Sequence, residues 1–101
     1  QAEYMIAEIF LNDFEEYSIA ADYYKDIISN YPKESQEVKK SMFTLAYIYA
    51  NYLDYYSDAI LLYEEFKKTY PNDDLINSID YELQNLSKFD KEIKSLLNSS
   101  K

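Results

Sequence analysis

The chain has 101 residues, with 10 lysines and no arginine against 19 acidic residues, a formal charge of −9, and it lacks Gly, Cys, His and Trp. That length bounds it to one small domain, and 48% hydrophobic with 29% charged residues suits a packed core under a solvated surface. Without glycine it has no phosphate loop or dinucleotide turn, without His or Cys no usual zinc ligand, thiol nucleophile or imidazole base, and an acidic chain without Arg repels a phosphate backbone.

Six helices and no strands are expected, near 2–13, 17–30, 36–52, 57–69, 73–86 and 90–98. In the first pair, Tyr4, Ala7 and Leu11, then Tyr17, Ala20, Tyr24 and Ile27, keep the three-and-four spacing of a buried stripe. Phe43, Ala46 and Ala50, then Tyr56, Ala59, Tyr63 and Phe66, do the same in the second pair. The alanines allow helix backbones to approach closely, and the aromatic residues fill the space beside each contact. Tyr31-Pro32 and Tyr70-Pro71 stop the second helix of each pair, because a residue before Pro is driven out of the helical region. Asn72, Asp73 and Asp74 offer caps to a fifth helix with Ile76, Ile79, Leu83 and Leu86 on its apolar side. Asp90 is placed to cap a sixth, with Ile93, Leu96 and Leu97 turned inward.

A shift of 39 residues lays residues 4–32 on 43–71 without a gap, and nine of the 29 pairs are identical. Chance would give roughly two. Ala7/Ala46, Ile9/Ile48, Asn12/Asn51, Ala20/Ala59, Tyr24/Tyr63 and Pro32/Pro71 are among them. Duplication of a two-helix unit is the economical explanation.

This pattern resembles the tetratricopeptide repeat. Tyr4, Ala7, Ala20, Tyr24 and Pro32 match the family's motif in the first unit, and Phe43, Ala46, Ala59, Tyr63 and Pro71 in the second. The resemblance implies an all-α, right-handed superhelix of antiparallel helix pairs. The single domain would comprise repeats at 1–32 and 40–71 and capping helices over 73–98, as a fragment of a longer protein. The offset exceeds the family's usual 34, with the extra residues in 33–40. That link and the Tyr-Pro endings are similar to repeats of bacterial outer-membrane assembly lipoproteins and of the periplasmic Tol-Pal coordinator family. A periplasmic or outer-membrane-associated location is what this similarity implies; the absence of Cys is equally compatible with the cytoplasm.

In the family the first helix of each pair lines an inner groove. The corresponding positions here are Ala2, Met5, Ile6, Ile9, Asn12 and Asp13, then Ser41, Thr44, Leu45, Ile48, Asn51 and Tyr52. Met5, Ile6, Ile9, Asn12, Thr44, Leu45, Ile48, Asn51 and Tyr52 are the expected partner-binding residues, and an apolar groove of this kind expects a protein or peptide segment. Tyr47, Tyr49, Tyr52 and Tyr55 are further contact candidates.

Asp13, Glu15, Glu16 and the Asp73-Asp74 pair lack the alternating oxygen ligands around a glycine of a calcium loop, and read as solvated turn and helix-end charges. No catalytic residue, metal or cofactor is therefore assigned, nucleic acid is not an expected partner, and no apolar run approaches a membrane span. The expected function is a non-catalytic protein-interaction scaffold that holds an apolar segment, in bacterial envelope assembly by the resemblance. A structural spacer or self-associating module, and an accessory domain of a larger enzyme, are the alternatives, and homo-oligomerisation stays open because repeat ends are sticky.

Overall fold

The computed structural model describes residues 2–99. It contains five helices: α1 (Ala2–Asn12), α2 (Tyr17–Asn30), α3 (Gln36–Asn51), α4 (Tyr56–Thr69) and α5 (Ile76–Ser99). No strand occurs among the described residues. Each helix packs on the next in sequence, which gives an elongated array of about 49 × 33 × 19 Å.

The buried residues are those the motif requires. Ala7, Ala20, Tyr24 and Ile27 in the first pair, and Ala46, Ala59, Tyr63 and Phe66 in the second, are buried in one continuous core. Tyr4 and Phe43 are half-buried and take the same geometry against their partners. The Tyr4 and Tyr24 rings meet edge-on at 5.9 Å, and Phe43 meets Tyr63 edge-on at 6.0 Å, an arrangement that suits the aromatic quadrupole. Tyr17 and Tyr56, expected on the buried stripes, are also half-buried.

The 33–40 link is held by its own contacts. Ser35 Oγ caps α3 by accepting from the Val38 N–H at 3.1 Å. Tyr70 Oη donates to the Lys33 carbonyl at 2.6 Å, which ties the end of the second repeat to the exit of the first. Lys39 Nζ lies 2.6 Å from Asp73 Oδ2, whose Oδ1 accepts from the Leu75 N–H. This pairing and hydrogen bonding hold the Asp73 carboxyl below the usual carboxylate range.

The all-α class holds, with two corrections at the C-terminal end. The helices expected at 73–86 and 90–98 are one continuous α5, since no Gly or Pro between Leu86 and Asp90 interrupts the helical backbone. Position 90 lies inside the helix and so does not begin one. Leu96 is 68% exposed rather than turned inward. The side chains of Asp90, Ile93 and Leu97 lie outside the described residues. Ile79, Leu83 and Leu86 are buried, and α5 packs on α4.

Candidate protein-binding surface

The two first helices of the pairs leave their ends by the same turn. At the end of α1, the Phe14 N–H donates to the Ile9 carbonyl and the Glu16 N–H to the Phe10 carbonyl. At the end of α3, the Leu53 N–H donates to Ile48 and the Tyr55 N–H to Tyr49, the same bonds 39 residues on. Glu15 and Asp54 take the left-handed backbone in these turns, at φ 53° and 58°. A position of this kind ordinarily favours glycine, so the missing glycines conceal the turn from a reading of composition.

These turns fix which face of α1 and α3 is presented, but the neighbours of the two helices differ. Helix α3 lies between α2 and α4, whereas α1 packs on α2. The expected groove residues divide accordingly. Met5, Ile6, Ile9 and Asn12 are exposed, with Met5 at 61%. Leu45 and Ile48, with Ser41 beside them, are buried in the stack and hold it together instead of lining an open groove. Thr44 is half-buried, while Asn51 and Tyr52 are exposed. The Asn51 amide donates to the Tyr47 carbonyl of its own helix at 3.1 Å.

Met5, Glu8, Ile9, Asn12 and Asp13 surround a shallow concavity of about 250 Å³ on α1. Its lining combines two apolar side chains, Met5 and Ile9, with the carboxylates of Glu8 and Asp13. Tyr17 of the first repeat and Tyr52 of the second stack with ring centroids 3.9 Å apart, and Tyr47 meets Tyr52 edge-on at 6.1 Å. Tyr47, Tyr52 and Tyr55 are exposed and Tyr49 is half-buried. The Tyr17–Tyr52 stack links the second helix of one repeat to the first helix of the next, a structural contact that sequence spacing did not reveal.

A second concavity, of about 310 Å³, sits at the link and is lined by Lys33, Glu34, Ser35, Gln36, Lys39, Thr69 and Tyr70. Its Lys39 is already paired with Asp73, so its charge braces the link. Among the described residues no cluster of three or more His, Cys, Asp or Glu could hold a metal, and no helix is long and apolar enough to cross a membrane.

Helix pairs stacked in sequence order, repeated at a fixed offset, define a helical-repeat scaffold. Matches to the family described as tetratricopeptide repeat fall on residues 1–34 and 40–73, and the chain belongs to that family. Comparison with curated proteins and with solved structures found no significant match. Repeats of this family are generally protein-interaction modules and typically non-catalytic.

Proposed function

We propose that this domain is a non-catalytic scaffold that holds an apolar, basic-flanked segment of a protein partner on the exposed face of α1. The observation that carries this reading is the concavity lined by Met5, Glu8, Ile9, Asn12 and Asp13. Burial of the apolar lining supplies affinity, and the carboxylates steer a cationic segment and raise its association rate. Asn51 and Tyr52, exposed on the second repeat, and half-buried Thr44 are included in the reading as further contacts. A role in bacterial envelope assembly is part of the proposal, supported by the similarity of the long link and the Tyr-Pro endings.

The test uses a twelve-residue aliphatic peptide flanked by lysines, titrated by fluorescence anisotropy against the domain and its Ile9→Asp variant. Binding to the parent and at least a tenfold loss in the folded variant support the reading. Equal binding by both removes α1 as the site. Fractionation of cells producing the full-length protein tests the location, and recovery in the cytosol alone overturns the envelope role.

A further inference from the structure

The α1–α2 turn and the end of α3 are joined by tyrosines. Tyr17 opens α2 and Tyr52 caps the end of α3, and their rings stack with centroids 3.9 Å apart at an interplanar angle of 5°. Tyr47 meets Tyr52 edge-on. Tyr47 is 40% and Tyr52 44% exposed, so both present surface to solvent.

The repeat does not require these two rings. Tyr47 and Tyr52 occupy the positions of Glu8 and Asp13 one repeat earlier, where exposed carboxylates serve the same fold. Exposed tyrosines at positions that the fold can fill with carboxylates mark an interaction surface.

The charge around them has one sign. Residues 13–19 and 47–58, the segments that supply the three rings, carry Asp13, Glu15, Glu16, Asp54 and Asp58 and no lysine, and all five acids are exposed. Glu15, fixed in its left-handed turn, acts on the stack: desolvation first, then the Glu15 carboxylate and Tyr52, hold the Tyr17 hydroxyl above its ordinary 10.0. Aromatic rings among carboxylates select a cation, because the ring quadrupole and the acids attract the same charge. Arginine suits an open surface better than lysine. Its planar, weakly hydrated guanidinium can lie on a ring while its N–H fork reaches a carboxylate, whereas an ammonium is a strongly hydrated point charge. A neutral proline or sugar face leaves the five acids without a counterpart. These 101 residues contain no arginine, so none of them supplies the guanidinium.

We infer that Tyr47 and Tyr52, with Glu15 at the Tyr17 stack, receive an arginine side chain from a protein partner. The inference shares Tyr52 with the α1 reading and goes beyond it, since Met5 and Ile9 have no part in it.

The probe is a fluorescein-labelled ten-residue Gly-Ser peptide bearing three arginines, titrated by anisotropy at about 20 mM salt, where exposed charges are little screened. Matched peptides carry lysine or citrulline in place of arginine. The expected affinities fall in the order arginine, lysine, citrulline, with at least about threefold between the first two. Tyr47→Leu and Tyr52→Leu keep apolar bulk and remove the π-face, and each should weaken the arginine peptide about two- to fivefold. Circular dichroism should remain that of the parent. Tyr47 lies outside the stack, so its variant decides the matter if loss of the stack unfolds Tyr52→Leu. Tyr52→Phe keeps the face and should bind within about twofold of the parent. Ring-proton resonances of Tyr47 and Tyr52 should shift as the arginine peptide is added to the parent, a readout that needs no variant. Equal binding of the arginine and lysine peptides, or undiminished binding by the folded Tyr47→Leu variant, means that the acids alone attract a cation and overturns the inference. Loss of the arginine peptide in Ile9→Asp without loss in the tyrosine variants also overturns it, and leaves the α1 reading standing.

Discussion

Ile9 and Ile48 are the same residue at the same position of two repeats, yet Ile9 is 42% exposed and Ile48 has no exposed surface. Their aspartate variants should therefore behave oppositely. Ile48→Asp places a carboxylate in the stack without a cationic partner, at a cost of about 4 kcal/mol or more, a large share of an ordinary domain's stability. Ile9→Asp should alter stability by less than about 0.5 kcal/mol while removing binding at α1. Urea denaturation of both variants checks this. Similar losses at the two positions would mean that α1 is covered in solution.

The alanine contacts are the second target. Ala20 and Ala59 have no exposed surface, and each sits where a larger side chain would push two helices apart. Ala20→Leu or Ala59→Leu should cost about 1–3 kcal/mol through overpacking. An unchanged denaturation midpoint would mean that the helices separate there without strain.

These alanines also mark how far the sequence was legible. Ala7, Ala20, Ala46 and Ala59 recur at a fixed offset beside aromatic residues, and that local pattern was sufficient to locate both repeats and most of the core. The division of the groove was not legible, because Ile9 and Ile48 have the same local pattern and differ only in what packs on their helices. The end of the fifth helix was misread for another reason. Asp90 is a competent cap residue, but capping is a choice between competing backbones, and with no Gly or Pro nearby the helix continued through it. The two left-handed turns were hidden because Glu15 and Asp54 stand where glycine would have signalled them.

Those turns predict a gain in stability. A left-handed conformation costs an L-residue about 1–2 kcal/mol, less for Asp than for Glu because a short polar side chain can bond locally. Glycine removes that cost and returns part of it as unfolded-state entropy. Glu15→Gly should stabilise by about 0.5–1 kcal/mol. Asp54→Gly should gain less, since Asp54 Oδ1 also accepts a hydrogen bond from Tyr56 Oη at 3.0 Å. Thermal melts of the two variants should rank them in that order, and a loss at Glu15 would contradict the backbone assignment.

The buried tyrosines make stability fall in alkali. Tyr24 and Tyr63 are almost wholly buried, and desolvation, reinforced by Tyr4 and Glu8 around Tyr24 and by Glu82 and Tyr47 around Tyr63, pushes both hydroxyls well above the ordinary 10.0. The folded chain therefore keeps protons that the unfolded chain releases above pH 10. The contribution is fully present below that pH and declines as pH rises, by about 1.4 kcal/mol per pH unit for each tyrosine. Tyr63 Oη has no hydrogen-bond partner among the described residues, so Tyr63→Phe removes an unsatisfied buried hydroxyl and should leave stability at pH 7 equal or higher. Urea midpoints measured from about pH 9 to about pH 11.5 should fall steeply for the parent and less steeply for Tyr63→Phe. If the variant loses stability at pH 7 and keeps the parent's alkaline slope, the Tyr63 hydroxyl is hydrogen-bonded and ionises as it would in water, contrary to the packing described.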